Sequence, residues 1–116
     1  MLWWLTEDRR LPRRSRACLA DPDARVLVSA ASAWEVAIKK SLGKLRAPDD
    51  FLAVVEESGF GWIPVTPGEA YAAGCLPMHH RDPFDRLIVA QALEHSAGII
   101  SRDEALDRYG VERLWS

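Results

Sequence analysis

Apolar and polar positions along the chain fall into two alternating periods. Val26-Leu27-Val28-Ser29 is a short apolar, β-branched run and predicts a buried strand. Helical spacing takes over at once, from about Ala30 to Leu42, with Gly43 as its stop. Pro48-Asp49-Asp50 opens a further helix through Phe51 to Glu57, closed by Ser58-Gly59. Trp62 to Thr66 predicts a second strand, which Pro64 assigns to an edge or an irregular position. Pro67 to Ala73 reads as a short helix ending at Gly74. The clearest helix starts at Asp82-Pro83, a favoured N-cap followed by a favoured first helical residue, and runs through Leu93 to stop before Gly98. Ile99-Ile100-Ser101 predicts a third strand, Asp103 to Arg108 a short helix, and Val111 to Trp115 a fourth strand. Ahead of them all, Ser15 to Ala20 reads as a helix between Pro12 and Asp21-Pro22.

Strands that alternate with helices imply right-handed crossovers and a parallel sheet covered on both faces. The expected fold class is therefore α/β, a three-layer parallel sheet flanked by helices, with its site beyond the carboxyl ends of the strands. Such a sheet wants an apolar central strand early in the chain. Leu2-Trp3-Trp4-Leu5 reads instead as the tail of a helix, so the first central strand is expected to be absent and to lie ahead of Met1.

Length and composition narrow this picture. The 116 residues suit one domain spanning 1–116, and no repeat or low-complexity linker divides them. With 48% hydrophobic and 28% charged residues, the chain matches an ordinary globular protein. A net charge of -2 gives no broad basic footprint for nucleic acid. RNA stays open as a substrate, because a carboxylate cluster is acidic only until a divalent cation fills it. Cys18 and Cys75 have neither ligand spacing nor a disulfide framework, and are expected to be reduced, packed thiols. The apolar opening stops at Thr6-Glu7-Asp8, too short for a signal peptide or a membrane span, which leads to a cytoplasmic expectation.

The chemistry lies in carboxylates on apolar faces. Positions 31, 34, 35, 38 and 42 share one side of a helix, and Glu35 sits amid Ala31, Trp34, Ile38 and Leu42. Its competing explanation is a capping box, Ser32-x-x-Glu35, which needs a helix that starts at Ser32. Asp85 shares a face with Ile88, Val89 and Ala92, and competes with simple helix-dipole stabilisation in a first turn. For Asp82, just before Pro83, the N-cap reading is the stronger. Asp103 follows the third strand directly, where it could serve a site or cap the next helix. Three such acids, if they converge, repel one another unless a cation lies between them. Hard oxygen donors suit Mg²⁺ or Mn²⁺, which activates water and stabilises charge on a phosphodiester. His79 and His80 read as loop residues with surface or hydrogen-bonding roles, an RNA contact being the lesser option, and His95 as a surface residue at a helix end. Trp34 and Trp62 read as packing residues. No glycine-rich phosphate loop, Gly-x-Ser-x-Gly elbow or Cys–His nucleophile arrangement is present, which removes support for nucleotide-triphosphate hydrolysis and acyl transfer.

Three stretches also resemble a known family. Val28-Ser29-Ala30-Ala31-Ser32-Ala33-Trp34-Glu35-Val36-Ala37-Ile38-Lys39 is similar to the second-acid segment of VapC-like PIN-domain proteins. The run from His79 to Ala92, with Asp82-Pro83-Phe84-Asp85-Arg86 inside it, resembles their third-acid segment. Ser101-Arg102-Asp103, then Tyr109-Gly110-Val111 and Leu114-Trp115, resembles their C-terminal end. The resemblance implies a Mg²⁺- or Mn²⁺-dependent ribonuclease, the toxin of a type II toxin–antitoxin pair, usually homodimeric and held by a small antitoxin. It implies Glu35, Asp85 and Asp103 as metal-binding acids, with Asp82 as an auxiliary. The family pattern opens with a strand ending in Asp-Thr-His, followed by a Leu-Trp-Trp-Leu helix, and this sequence begins inside that helix. No residue replaces the strand's aspartate, and Asp8 has no matching position. Either the true start lies upstream, or the chain is a degenerate copy.

Two rivals accompany the ribonuclease expectation. One is a catalytically inactive module that binds an antitoxin or RNA. The other is a metal-dependent phosphatase or phosphoacceptor domain, which would need a nucleophilic aspartate after the first strand.

Overall fold

In the computed structural model, residues 2–5, 25–44, 51–57 and 59–115 are described. The elements run β1 (Leu2–Leu5), β2 (Arg25–Ser29), α1 (Ala30–Ser41), α2 (Phe51–Glu57), β3 (Gly61–Ile63), α3 (Pro67–Cys75), α4 (Pro83–Glu94) and β4 (Gly98–Ile100). A 3-10 helix (Glu104–Tyr109) and β5 (Arg113–Leu114) complete them. The expected helix at Ser15 to Ala20 lies outside the described residues.

The five strands form one sheet in the order β3-β2-β1-β4-β5, and each adjacent pair is parallel. This corrects the expectation that the first central strand is missing. Leu2–Leu5 occupies the middle of the sheet, with Trp4 in register with Leu27 on one side and Ile99 on the other. Four consecutive apolar residues carry no period of their own, so they fit a helix or a buried strand equally in sequence. Pairing on two sides decides for the strand, because a parallel sheet cannot leave the backbone groups of β2 and β4 unpaired in its interior.

The remaining strands follow their sequence patterns. In β2, Val26, Leu27, Val28 and Ser29 are all buried, as a strand covered on both faces requires. β3 lies at the sheet edge and ends one residue before Pro64, which has no N–H to offer a ladder. The core joins Leu27 from β2, Ile88, Val89 and Ala92 from α4, Ile99 from β4, and Leu106 and Val111 beyond it. Each fully buried side chain of this size stabilises by about 1.5–3 kcal/mol relative to exposure.

Two helix faces differ from expectation. The buried residues of α1 are Ala31, Ser32, Glu35 and Val36, a face rotated from the predicted stripe, while Trp34 is 62% exposed. Cys75, expected to be packed, is exposed at the end of α3, and Cys18 lies outside the described residues. Among the described residues, no helix is long and apolar enough to cross a membrane.

This topology defines where a site can form. From β1 the chain winds outward through β2 and β3, then returns to the other side of β1 for β4 and β5. The strand order therefore reverses at the β1–β4 pair, and the carboxyl edge there is where parallel sheets of this kind carry their sites. β4 runs toward that edge. α4 leads into β4 from the opposite direction, so its N-terminal turn lies at the same edge.

Candidate metal centre

Asp85 and Asp103 come together because of that antiparallel relation between α4 and β4. Asp85 lies in the first turn of α4, and Asp103 follows β4 after Ser101 and Arg102. His80, from the loop before α4, reaches both. Its Nε2 is 2.6 Å from Asp103 Oδ2 and 3.2 Å from Asp85 Oδ2. One potential ligand atom from each of these three residues lies within 4.8 Å of the other two.

The cluster is held by caps at both ends. Asp82 Oδ1 accepts the N–H groups of Phe84 (2.9 Å) and Asp85 (3.4 Å), so Asp82 is the N-cap of α4. Asp103 divides its two oxygens: Oδ1 accepts the N–H of Ala105 at 3.0 Å to cap the 3-10 helix, while Oδ2 faces His80. The capping explanation for Asp103 is thus realised, and it leaves the second oxygen turned toward Asp85. Burial pushes the Asp103 carboxyl up, but the bond from His80, the Ala105 N–H and the charge of Arg113 together bring it below its ordinary value.

Glu35 is placed differently. Ser29 caps α1 through its hydroxyl, which accepts the Ala31 N–H at 3.1 Å, so the helix starts too early for a Ser32–Glu35 capping box. Ser32 lies inside the helix, and its buried hydroxyl has no hydrogen-bond partner among the described residues. Glu35 is buried to 4% exposure, and its Oε2 pairs with Lys39 Nζ at 3.2 Å, one turn along. It is not one of the three clustered residues. Its neighbour Trp34 nevertheless meets Phe84, the residue before Asp85, edge to face at 5.2 Å between ring centroids. That contact sets the Glu35 turn of α1 beside the first turn of α4.

Two residues that sequence reasoning left in the background build the loop. Arg86 is buried to 7% exposure, and its guanidinium donates to the carbonyls of Ala73, Gly74, Leu76, Pro77 and His80. The end of α3 and the chain leading to His80 are thereby tied to the first turn of α4. Tyr109 adds a second tie: its hydroxyl donates to Pro77 O at 2.7 Å and accepts the His80 N–H at 3.0 Å. His80 was expected as a surface or loop-bonding residue, and the structure turns its ring onto two carboxylates. No periodicity marks a loop histidine; the only signal was its place two residues before Asp82. Arg86 did carry one, since it shares a helix face with Val89.

Donor chemistry decides what these residues can hold. Asp85 and Asp103 supply hard oxygens at one point, suited to a cation that keeps water for its remaining positions. Asp82 has one oxygen committed to its cap, and Glu35 requires its bond to Lys39 to be exchanged. The residues present therefore fit a hard divalent ion held chiefly by two carboxylates.

Comparison with known proteins agrees in fold and family. One relative, ribonuclease VapC22 of Mycobacterium tuberculosis (strain ATCC 25618 / H37Rv), is 28% identical over 107 residues, covering 90% of this chain and 82% of that protein. The crystal structure of VapBC2 from Rickettsia felis, bound to a DNA fragment from their promoter, superposes with a TM-score of 0.74 at 13% identity and full coverage of both chains (100% each). FitAB bound to the IR36 DNA fragment gives 0.61 at 16% identity, covering 98% of this chain and 94% of that one. FitAcB from Neisseria gonorrhoeae gives 0.61 at 17%, covering 98% and 96%. At these identities the likeness of the structures is one of fold. The pattern that defines the PIN domain matches residues 1–112, and the chain belongs to that family.

Proposed function

We propose that this protein is a Mg²⁺- or Mn²⁺-dependent endoribonuclease, the toxin of a type II toxin–antitoxin pair. The observation that carries the reading is the meeting of Asp85 and Asp103 at the carboxyl edge of the sheet, where the strand order reverses. Asp85 and Asp103 would hold the cation, with Glu35 as a third acid and Asp82 as an auxiliary. Such a cation supplies a polarised water and a counter-charge for the phosphodiester. The chain's own part is to hold the two carboxylates side by side, through the caps of Asp82 and Asp103 and the Arg86 ties. The similarity to a protein named as a ribonuclease supports an RNA substrate. The likeness to VapBC2 and FitAB, both captured on DNA, supports an antitoxin partner, and the family resemblance adds a homodimer.

The test is cleavage of a fluorogenic RNA oligonucleotide in the presence of Mn²⁺. Asp85→Asn keeps the side-chain volume and removes the charge that a cation needs, so cleavage is expected to fall by roughly 100-fold or more. Undiminished cleavage by that variant would remove Asp85 from the site.

One observation favours a second reading, a non-catalytic module that binds RNA or an antitoxin. Glu35 is paired with Lys39 rather than joined to the other two acids. Mn²⁺ titration by calorimetry separates the two, since a catalytic centre binds the ion and a passive module has no need of it.

A further inference from the structure

His80 stands where the two carboxylates meet, and its ring is oriented by a backbone group that cannot move freely. The Asp82 N–H donates to His80 Nδ1 at 3.0 Å. A neutral imidazole accepts at one nitrogen and donates at the other, so acceptance at Nδ1 makes Nε2 the donor. That N–H lies 2.6 Å from Asp103 Oδ2 and 3.2 Å from Asp85 Oδ2, shared between the two oxygens and nearer to the first.

We propose that His80 is a stand-in for the divalent cation rather than one of its ligands. In the cation-free protein its Nε2–H holds Asp85 and Asp103 together, and it gives up that place when the ion binds. The inference deepens the metal-site reading above and rests on it.

A ligand needs a lone pair where His80 presents an N–H. Turning Nε2 into a ligand would put the ring's proton on Nδ1, facing the Asp82 N–H donor to donor. Asp82 cannot readily withdraw that N–H, because the residue is fixed as the N-cap of α4. The backbone of His80 is held as well: its carbonyl accepts from Arg86 at 3.2 Å, and its N–H donates to Tyr109 at 3.0 Å. The side chain alone is left to move. It is already 17% exposed, beside an Asp103 side chain that is 38% exposed, so solvent is within reach of the ring. Without the histidine donor, two carboxylate oxygens face each other across the gap and repel. A cation relieves the same repulsion, so histidine and cation do one job in alternation.

The sign of one comparison decides this. The full chain and its His80→Ala variant are melted without metal and with saturating MnCl₂. Loss of His80 lowers the metal-free Tm, and the rise on adding Mn²⁺ is expected to be larger in the variant than in the wild type by roughly 3–6 °C. A rise equal to or smaller than that of the wild type overturns the stand-in role and leaves the cation site intact. No rise in either protein overturns the inference and the metal-site reading together. Should the alanine chain not fold without metal, His80→Gln, whose amide keeps an N–H at similar reach, gives a second test: its rise is expected to match the wild type's, and a smaller rise overturns the proposal. Imidazole ¹⁵N shifts give an independent reading. Nε2 is expected to be pyrrole-like and Nδ1 pyridine-like in the metal-free protein, and on adding MgCl₂ Nε2 is expected to keep its proton. The opposite assignment, or loss of the Nε2 proton on adding MgCl₂, overturns the proposal.

Discussion

Asp82 and Arg86 lie four residues apart in one motif and make opposite demands on substitution. Asp82 acts through an oxygen that accepts two N–H groups, and an asparagine oxygen accepts them as well. Asp82→Asn is therefore expected to unfold within a few tenths of a kcal/mol of the wild type in urea, whereas Asp82→Ala costs about 1 kcal/mol. A large loss on Asp82→Asn would mean that the charge itself is needed. Arg86 allows no such exchange. Its planar fork serves five carbonyls, and a lysine has one nitrogen with which to meet them. Arg86→Ala strands several buried acceptors, each worth about 1–3 kcal/mol, although water recovers some. A total loss of roughly 3–5 kcal/mol is expected, with Arg86→Lys falling between it and the wild type. Equal midpoints for Arg86→Lys and wild type would show that the fork is dispensable. Asp85 drew notice because a charge on an apolar face contradicts its surroundings, and Asp103 because it directly follows a strand. The same apolar-face reasoning put Glu35 beside them, whereas it pairs with Lys39 outside their cluster. His80 drew none, since a loop has no face to contradict. The burial of Arg86 is hard to read from sequence, because arginine on a helix usually snorkels to solvent.

At the scale of elements, α3 is fixed to α4 by a buried carboxylate that belongs to no catalytic reading. Glu69 closes a capping box with Thr66: the Thr66 N–H donates to Glu69 Oε1 at 3.0 Å, and the Thr66 hydroxyl accepts the Glu69 N–H at 3.2 Å. Gln91 of α4 donates to the same Oε1 at 3.3 Å, and His95 lies 3.4 Å from Oε2. Burial pushes the Glu69 carboxyl up, but these bonds outweigh it and hold the pKa below its ordinary 4.5. The consequence for pH has a definite sign. Above the ordinary value the carboxylate is charged in both folded and unfolded chains, and its stabilisation is complete. As pH falls through and below 4.5, the unfolded chain binds the proton first, and the stabilisation disappears once pH passes the lower folded value. Glu69→Gln cannot titrate, so its stability is expected to change less than the wild type's between about pH 5 and pH 3 in urea melts. Parallel curves for the two would exclude Glu69 from the acid limb. Element boundaries were largely legible because caps and glycines announce them, as Asp82-Pro83 does for α4 and Gly110, with φ of 76°, does after the 3-10 helix. The face of α1 was not. With no loop between β2 and the Ser29 cap, the helix takes its rotation from the strand, and its own apolar stripe turns partly outward.

For the whole molecule, the decisive fact is the strand at its centre. Leu2–Leu5 pairs on both sides, and without it the β2–β3 and β4–β5 halves of the sheet would have no shared backbone hydrogen bonds. The sequence could not reveal this, because strand identity here comes from partners far along the chain rather than from any local period. It also bears on the site, since Asp103 follows β4 and β4 is set in the sheet by its pairing with β1. Trp4→Pro tests the arrangement. Proline removes one N–H from the ladder and brings its ring against the neighbouring strand, at a position in register with Leu27 and Ile99 together. An edge strand could turn the missing donor toward solvent, but a central one leaves a buried acceptor unmet. A cost of about 3–5 kcal/mol is a large share of the roughly 5–15 kcal/mol by which domains are stable. The expected fall in Tm is on the order of 12–25 °C by differential scanning calorimetry, with Mn²⁺ binding lost at temperatures where the wild type still binds. A fall below about 5 °C would mean that Leu2–Leu5 does not bridge the two halves, and some other segment would have to be sought for the centre of the sheet.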